Sequence, residues 1–400
     1  MISLGEIASV KTGPFGSALH AEDYVQSGTP IITVEHLGES CISRQNLPLV
    51  SDEDKKRLSA YALHTGDIVF SRVGSVDRNA YVTEAEDGWL FSGRLLRIRV
   101  SDTRCISKYL SFFFKDTRIK SKVREIAVGQ TMPSLNTKLL SSFSVCLPQL
   151  SDQRRISEAL SDMDELIFSL EKLIEKKKAI KQGAMQELLT GKRRLPGFSG
   201  EWKTSPLITL CDSITDGSHE SPLETDCGYY MPSVKDMTDC GFNYSACKQI
   251  SKLDYEKLVR NGCQPVVGDV LIAKDGSILK HAFVYEQSVP TVILSSIAII
   301  RPNKAIIDSQ YLAQYFRQKS FVENVILNYK SGTGVPRIVL NNFKIIEIFH
   351  PISVKEQIAI SETLGYIDVD IEMQEKKVEK ARQIKQGMLQ QLLTGKIRLA

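Results

Sequence analysis

Between Gln153 and Ile174 the apolar residues fall at Ile156, Leu160, Met163, Ile167, Leu170 and Ile174. Alternating steps of four and three mark the seam of a heptad helix, and they predict a long helix over residues 151–192 that packs on another of its kind. Lys177 interrupts the seam, apolar residues resume one position out of phase at Ile180, Ala184 and Leu188, and Gly191 supplies a stop. The same frame returns within residues 351–400. Here Ile360, Leu364, Ile367, Ile371, Val378 and Ala381 form the seam, Gln374 occupies one of its positions, and Ile384, Met388 and Leu392 lead to Gly395. The two helix ends are nearly one text: residues 180–195 and 384–399 agree at twelve of sixteen positions, at a spacing of 204. So long a period excludes a solenoid of short units and predicts a duplicated domain, each copy followed by its helix.

What precedes each helix is alike but less so. Gly66-Asp67-Ile68-Val69-Phe70-Ser71-Arg72 aligns with Gly268-Asp269-Val270-Leu271-Ile272-Ala273-Lys274, a turn followed by a β-branched strand and a cation. Tyr109-Leu110 matches Tyr311-Leu312 at the start of a helical stretch, and residues 129–135 answer 332–338 before a short strand ending at Pro148 or Pro351. The expected architecture is α/β (α+β). Residues 1–150 and 203–350 form two similar domains, 151–192 and 351–400 the helices, and 193–202, with one proline and two glycines, a linker.

Composition narrows the chemistry. Basic and acidic residues nearly cancel in both domains, 18 against 16 in 1–150 and 15 against 16 in 201–350, so bulk charge gives little support for a nucleic-acid binder and any such role must rest on local clusters. The eight cysteines contain no C-x-x-C pair, and the histidines do not stand near them at zinc-ligand spacing, which points to free thiols in a reducing cytoplasm and to no metal. A charged leader is absent from the sequence and no apolar run reaches membrane-spanning length. Catalytic signatures are missing too: no phosphate loop, H-E-x-x-H, G-x-S-x-G or dinucleotide turn. Asp269 and Lys274 loosely resemble a nuclease carboxylate and lysine, but a hairpin turn and a surface cation account for them.

Local clusters suggest nucleic acid. Lys115, Arg118 and Lys122 share one face of a helical stretch, and with Lys330 in the second half they are candidates for phosphate contact, which adds affinity without sequence choice. Base reading needs paired donors and acceptors held at turns. Ser17, Arg72, Ser75, Arg78, Asn79, Gln130, Ser134 and Asn136 offer them in three loops of the first half. His219, Lys274, Ser277, Lys280, His281 and Arg337 offer them at the corresponding places of the second. The run Lys176-Lys177-Lys178 with Lys181 reads instead as the wet face of the helix.

Taken with the Leu188–Phe198 junction, the Gly5-Glu6-Ile7 opening with Gly13-Pro14-Phe15-Gly16-Ser17, the two Gly-Asp turns, and Gln153 and Gln357 opening the helices, the whole chain resembles the specificity subunit of type I restriction-modification systems. The resemblance implies two target recognition domains in pseudo-twofold relation, joined by helices in an antiparallel coiled coil. It further implies a non-catalytic subunit that binds a split, asymmetric site in double-stranded DNA, one half per domain, with the helices fixing the gap. Implied partners are two methyltransferase subunits, which use S-adenosylmethionine, and two restriction subunits, which use ATP and magnesium, so that no cofactor belongs to this chain. A specificity partner of a fused methyltransferase-nuclease, or a duplicated protein-interaction scaffold without DNA, remain alternatives on the sequence alone.

Overall fold

The computed structural model describes residues 1–400 apart from 15–18, 39–40, 130, 288, 333 and 399–400 and the side chain of residue 21. The chain forms two compact units, Met1–Glu171 with Glu375–Ala400, and Lys172–Gln374. Each unit therefore combines one domain with part of both long helices, a division that does not follow the chain order the repeat suggests.

In the first unit a four-stranded antiparallel sheet runs in the order Ala8–Thr12, Leu95–Val100, Ile68–Ser71, Asn79–Tyr81. In the second the order is Cys211–Asp216, Ile297–Pro302, Val270–Ala273, Ala282–Val284, the same topology. The central strand Val270–Ala273 is buried throughout because it is covered on both faces. Alternate side chains go to different cores: Val270 and Ile272 pack with Tyr311, Leu312 and Phe316, while Leu271 and Ala273 pack with Phe242, Phe283 and Tyr285. Ile68 and Phe70 separate from Val69 in the same manner.

The recurring motifs turn out to be joints of this scaffold. Asp67 and Asp269, each 1% exposed, accept a bidentate pair from Arg99 and Arg301 on the neighbouring strand, at 2.7 Å and 2.8–2.9 Å. They also accept a backbone N–H of their own turn, from His64 and Val266. Gln153 and Gln357 are wholly buried. Gln153 accepts the Ile106 N–H and donates to the carbonyls of Arg104 and Pro148; Gln357 accepts the Asp308 N–H and donates to those of Ile306 and Pro351, all at 2.7–3.0 Å. Each glutamine thus fastens its helix start to the loop before the helix that carries Tyr109 or Tyr311.

The long helices span Leu150–Leu188 and Val354–Leu392. The first stops at Leu188 because Gly191 turns the chain at φ +68°, and the N–H groups of Gly191 and Arg193 cap the carbonyls of Leu188 and Glu187. In each unit the helix segments run antiparallel. Asp164 pairs with Lys385 and Glu171 with Arg382, both at 2.5 Å, in the first unit; in the second, Lys181 pairs with Asp368 at 2.5 Å and Lys177 with Asp370. The Asp164–Lys385 and Asp368–Lys181 pairs are related by the 204-residue repeat. Ile156, Leu160, Ile167 and Ile174 are buried as the heptad requires.

Beyond Ile174 the expected seam is corrected. Ile180 and Ile384 are about half exposed, while Lys181 and Lys385 point inward, where the opposing aspartates satisfy their ammonium groups. Lys177 is likewise inward in its pair with Asp370, so only Lys176 and Lys178 of that run lie on the wet face. Gln374 sits in the seam at 8% exposure and donates along its own helix to Asp370 at 3.2 Å. Polar residues keep the heptad frame here because each finds a partner within it.

Candidate nucleic-acid interface

The sheet topology sends all three predicted loops of each unit to one end of its sheet. Strand Ala8–Thr12 ends there, Ile68–Ser71 ends there, and Leu95–Val100 begins there. Gly13 lies so close to the next turn that a Cβ would stand 2.2 Å from the Ser92 carbonyl oxygen; at Gly217 the clash would be 2.1 Å, with Ile293. No side chain fits either approach, so glycine is obligatory at both.

The hairpin turn after the central strand is pinned to the third loop by backbone bonds. Gly74 N–H donates to Pro133 O at 2.9 Å and Leu135 N–H to Arg72 O at 2.8 Å; Gly276 N–H donates to Pro336 O and Ile338 N–H to Lys274 O at 2.8 and 2.9 Å. The pinning fixes the backbone of both loops and leaves their side chains to vary.

Among the sequence candidates of the first unit, Ser75 is exposed and Ser134 half-buried beside it. Arg72 is half-buried and donates to Gly93 O at 3.0 Å, and Arg78 donates to Leu37 O. Asn136 is exposed, but its Oδ1 accepts the Leu139 N–H at 2.8 Å as the cap of helix Thr137–Ser141. Ser17 and Gln130 lie outside the described residues. Asn79 is corrected: it is 3% exposed, on a strand, with its Oδ1 bonded to Ser111 at 3.1 Å, because the hairpin turn ends one residue earlier than the alignment of polar residues implies.

In the second unit Ser277 and Lys280 are exposed along a shallow cleft, His219 and Arg337 are exposed, and His281 is half-buried with Nδ1 2.8 Å from Asp239. Lys274 is corrected as a base contact. It is 6% exposed, with Nζ 3.3 Å from both Asp216 and Asp275, so its charge is spent inside the fold. The nuclease-like pairing of Asp269 with Lys274 also dissolves, since Asp269 is bound by Arg301 at the other end of the strand.

The phosphate face is largely corrected. The helix expected through Lys115 to Arg124 is broken by Asp116, whose carboxylate caps Thr117–Ile126. Lys115 falls outside that helix, half-buried with its ammonium 5.4 Å from the Phe112 ring, and burial pushes it down to about 8 against the attraction of Asp164. Arg118 is held by Asp116 at 2.7 Å, a bond that raises its titration point, and reaches Gln390 O at 3.3 Å. Lys122 and Lys330 are exposed. Two exposed cations at the loop ends escaped the sequence reading: Arg94, in the bend before Leu95–Val100, and Lys235, which lines the cleft with Lys280. A lone cation in a turn carries no periodic signal, and only the fold brings these two beside the loops.

Comparison with known proteins bears on this geometry. Residues 1–182 match the type I restriction modification DNA specificity domain. The chain is 27% identical over 399 residues to a putative type I restriction enzyme MjaX specificity subunit of Methanocaldococcus jannaschii, covering 93% of this chain and 88% of that one. It is 23% identical over 410 residues to the MjaVIII specificity subunit of the same organism, covering 96% and 89%. The fold is shared with the S subunit of a type I restriction-modification system from M. genitalium, at TM-score 0.60 and 13% identity over 98% of this chain and 95% of that one. A chain from a structure concerned with complex assembly and conformational transition of the type I system gives TM-score 0.57 at 16% identity, over 98% and 96%. With its duplicated scaffold and the domain match over residues 1–182, the chain is similar along nearly its whole length to specificity subunits of type I restriction-modification systems.

Proposed function

We propose that this subunit recognises double-stranded DNA and catalyses nothing itself. Each unit reads one half of a split, asymmetric sequence with the loops at its sheet end, and the long helices join the two readers and hold the gap between the halves. In the cytoplasm two methyltransferase subunits, with S-adenosylmethionine, and two restriction subunits, with ATP and magnesium, supply the chemistry.

One observation carries the reading. Side chains that build the scaffold are duplicated down to their hydrogen bonds, as at Asp67–Arg99 and Asp269–Arg301, whereas most side chains on the backbone-pinned loops differ between the copies, Ser75 and Ser277 being an exception. Duplicated frames with divergent tips suit two readers of different half-sites. Base contacts fall to Arg72, Ser75, Arg78, Ser134, His219, Ser277, Lys280, His281 and Arg337, and phosphate contacts to Lys122, Lys330, Arg94 and Lys235. The test is binding by the reconstituted complex to random-sequence duplexes at several salt concentrations. Selection of a bipartite motif with affinity falling steeply as salt rises is expected; salt-insensitive binding without a motif would overturn the reading.

A further inference from the structure

The backbone bonds that pin the hairpin turn to the third loop also decide which side chains stand together at the tip. In the second unit Gly276 N–H donates to Pro336 O and Ile338 N–H to Lys274 O, at 2.8 and 2.9 Å. These bonds flank the antiparallel bridge of Asp275 with Arg337 and leave those two residues facing each other without a backbone bond between them. That is the closer of the two antiparallel arrangements, in which facing side chains leave on the same side with their Cβ atoms about 4.5–5.5 Å apart. In the first unit the same bonds set Val73 opposite Ser134. One backbone clamp thus presents a carboxylate beside a guanidinium in one copy, and an isopropyl group beside a hydroxyl in the other.

The two charges are not spent on each other. The Asp275 carboxylate receives Lys274 Nζ, 3.4 Å from one oxygen and 3.3 Å from the other. Lys274 is 6% exposed and shared with Asp216, so a buried cation holds the carboxylate from its inner side. Its outer side remains 24% exposed and lines the shallow cleft with Lys235 and Lys280. Arg337 is exposed and makes no ion pair among the described residues. A carboxylate in a cleft of cations is repelled by phosphates and adds nothing to sequence-independent binding. What it offers is acceptors with no donor.

Acceptors with no donor choose among bases. In the major groove guanine and thymine show acceptors, adenine shows an acceptor beside its amine, and cytosine shows its N4 amine alone. A guanidinium is the complementary reader, since its paired N–H groups match guanine O6 and N7. We propose that Asp275 and Arg337 together read one G·C base pair in the half-site of the second unit, Asp275 accepting from cytosine N4 and Arg337 donating to guanine O6 and N7. The inference rests on the reading of this chain as a DNA-recognition subunit. Val73 and Ser134, at the same two places, supply neither the carboxylate nor the guanidinium, so these positions demand no G·C pair in the half-site of the first unit.

The test uses the complex reconstituted with methyltransferase subunits, its motif selected from random-sequence duplexes. Asp275→Asn keeps the shape and offers the amide that suits adenine; it is expected to lower the preference for cytosine over adenine about tenfold or more at one position, leaving the other half-site and the gap unchanged. Arg337→Ala should relax the same base pair. Asp275→Val with Arg337→Ser installs the residues that the first unit carries on the same backbone bonds, and should erase selection at that pair while the rest of the motif survives. In a scan of the wild-type site with 7-deazaguanine, which lacks the N7 acceptor, the guanine of that pair should lose binding about fivefold or more, a result that no folding defect of a variant can produce. Variants that keep the wild-type motif, single variants that relax different base pairs or an A·T pair, or a wild-type site with no guanine sensitive to 7-deazaguanine would each overturn the pair while leaving DNA recognition in place. A wild-type complex that selects no motif would overturn recognition itself, and the pair with it.

Discussion

Replacing Gln357 by leucine tests the joint between helix and domain. The side chain is fully buried and makes three bonds to backbone: it accepts the Asp308 N–H at 2.7 Å and donates to Pro351 O at 2.8 Å and Ile306 O at 3.0 Å. Leucine has similar bulk and no polar atom, so packing is kept and the bonds are lost. The Pro351 carbonyl keeps a second partner in His350 Nδ1 at 3.0 Å, which leaves the Asp308 N–H and the Ile306 carbonyl orphaned. At roughly 1–3 kcal/mol for each unsatisfied group, the cost is about 2–6 kcal/mol, a large share of the roughly 5–15 kcal/mol that holds an ordinary domain. In urea, where the slope is about 1–3 kcal/mol per molar, the second unit's transition should fall by about 1 M or more with its slope unchanged. Gln153→Leu orphans three groups, the Ile106 N–H and the carbonyls of Arg104 and Pro148, and should cost at least as much in the first unit. A midpoint shift below about 0.3 M for either variant would refute the claim that these glutamines tie the helix starts to the domains.

Asp269→Asn removes the charge from a buried carboxylate paired with Arg301, whose guanidinium is partly wet. A loss of about 1–3 kcal/mol in thermal or urea unfolding is expected, with Asp67→Asn matching it in the first unit. Lys115 titrates at about 8 when folded and near its ordinary 10.5 when unfolded, so between those values the unfolded chain binds more protons and stability should rise with pH. Lys115→Met should remove that rise, as read from urea midpoints at pH 7.5 and 10. Lys235→Ala and Lys330→Ala should each flatten the salt dependence of DNA binding by about one phosphate's worth of slope; Lys274→Ala, whose charge is internal, should leave the slope unchanged.

The parts of the fold that repeat were legible in the sequence because duplication doubles the signal. Ile156, Leu160 and Ile167 with Ile360, Leu364 and Ile371 give one heptad twice, and the Gly-Asp turns mark the same joint twice. The phase beyond Ile174 was not legible. Hydrophobicity favours Ile180 over Lys181, and only the aspartates on the opposing helix reverse that order. At the candidate interface the loops were visible as turn-rich stretches in matching places, but the fate of single side chains depended on partners distant in sequence. Lys274 is claimed by Asp216 and Asn79 by Ser111, so neither points outward. Arg94 and Lys235 reach the loops through chain folding that no local pattern records.

The central claim is that each unit reads its own half-site through its loops. Its most direct test is to exchange the loop segments 216–219, 274–281 and 330–337 for those of a specificity subunit with a different motif and map the methylated sequence in cells carrying the complex. The account predicts that one half-site changes while the other half and the gap stay as they were. A change in both halves, or an unchanged motif from a complex that still methylates, would contradict it.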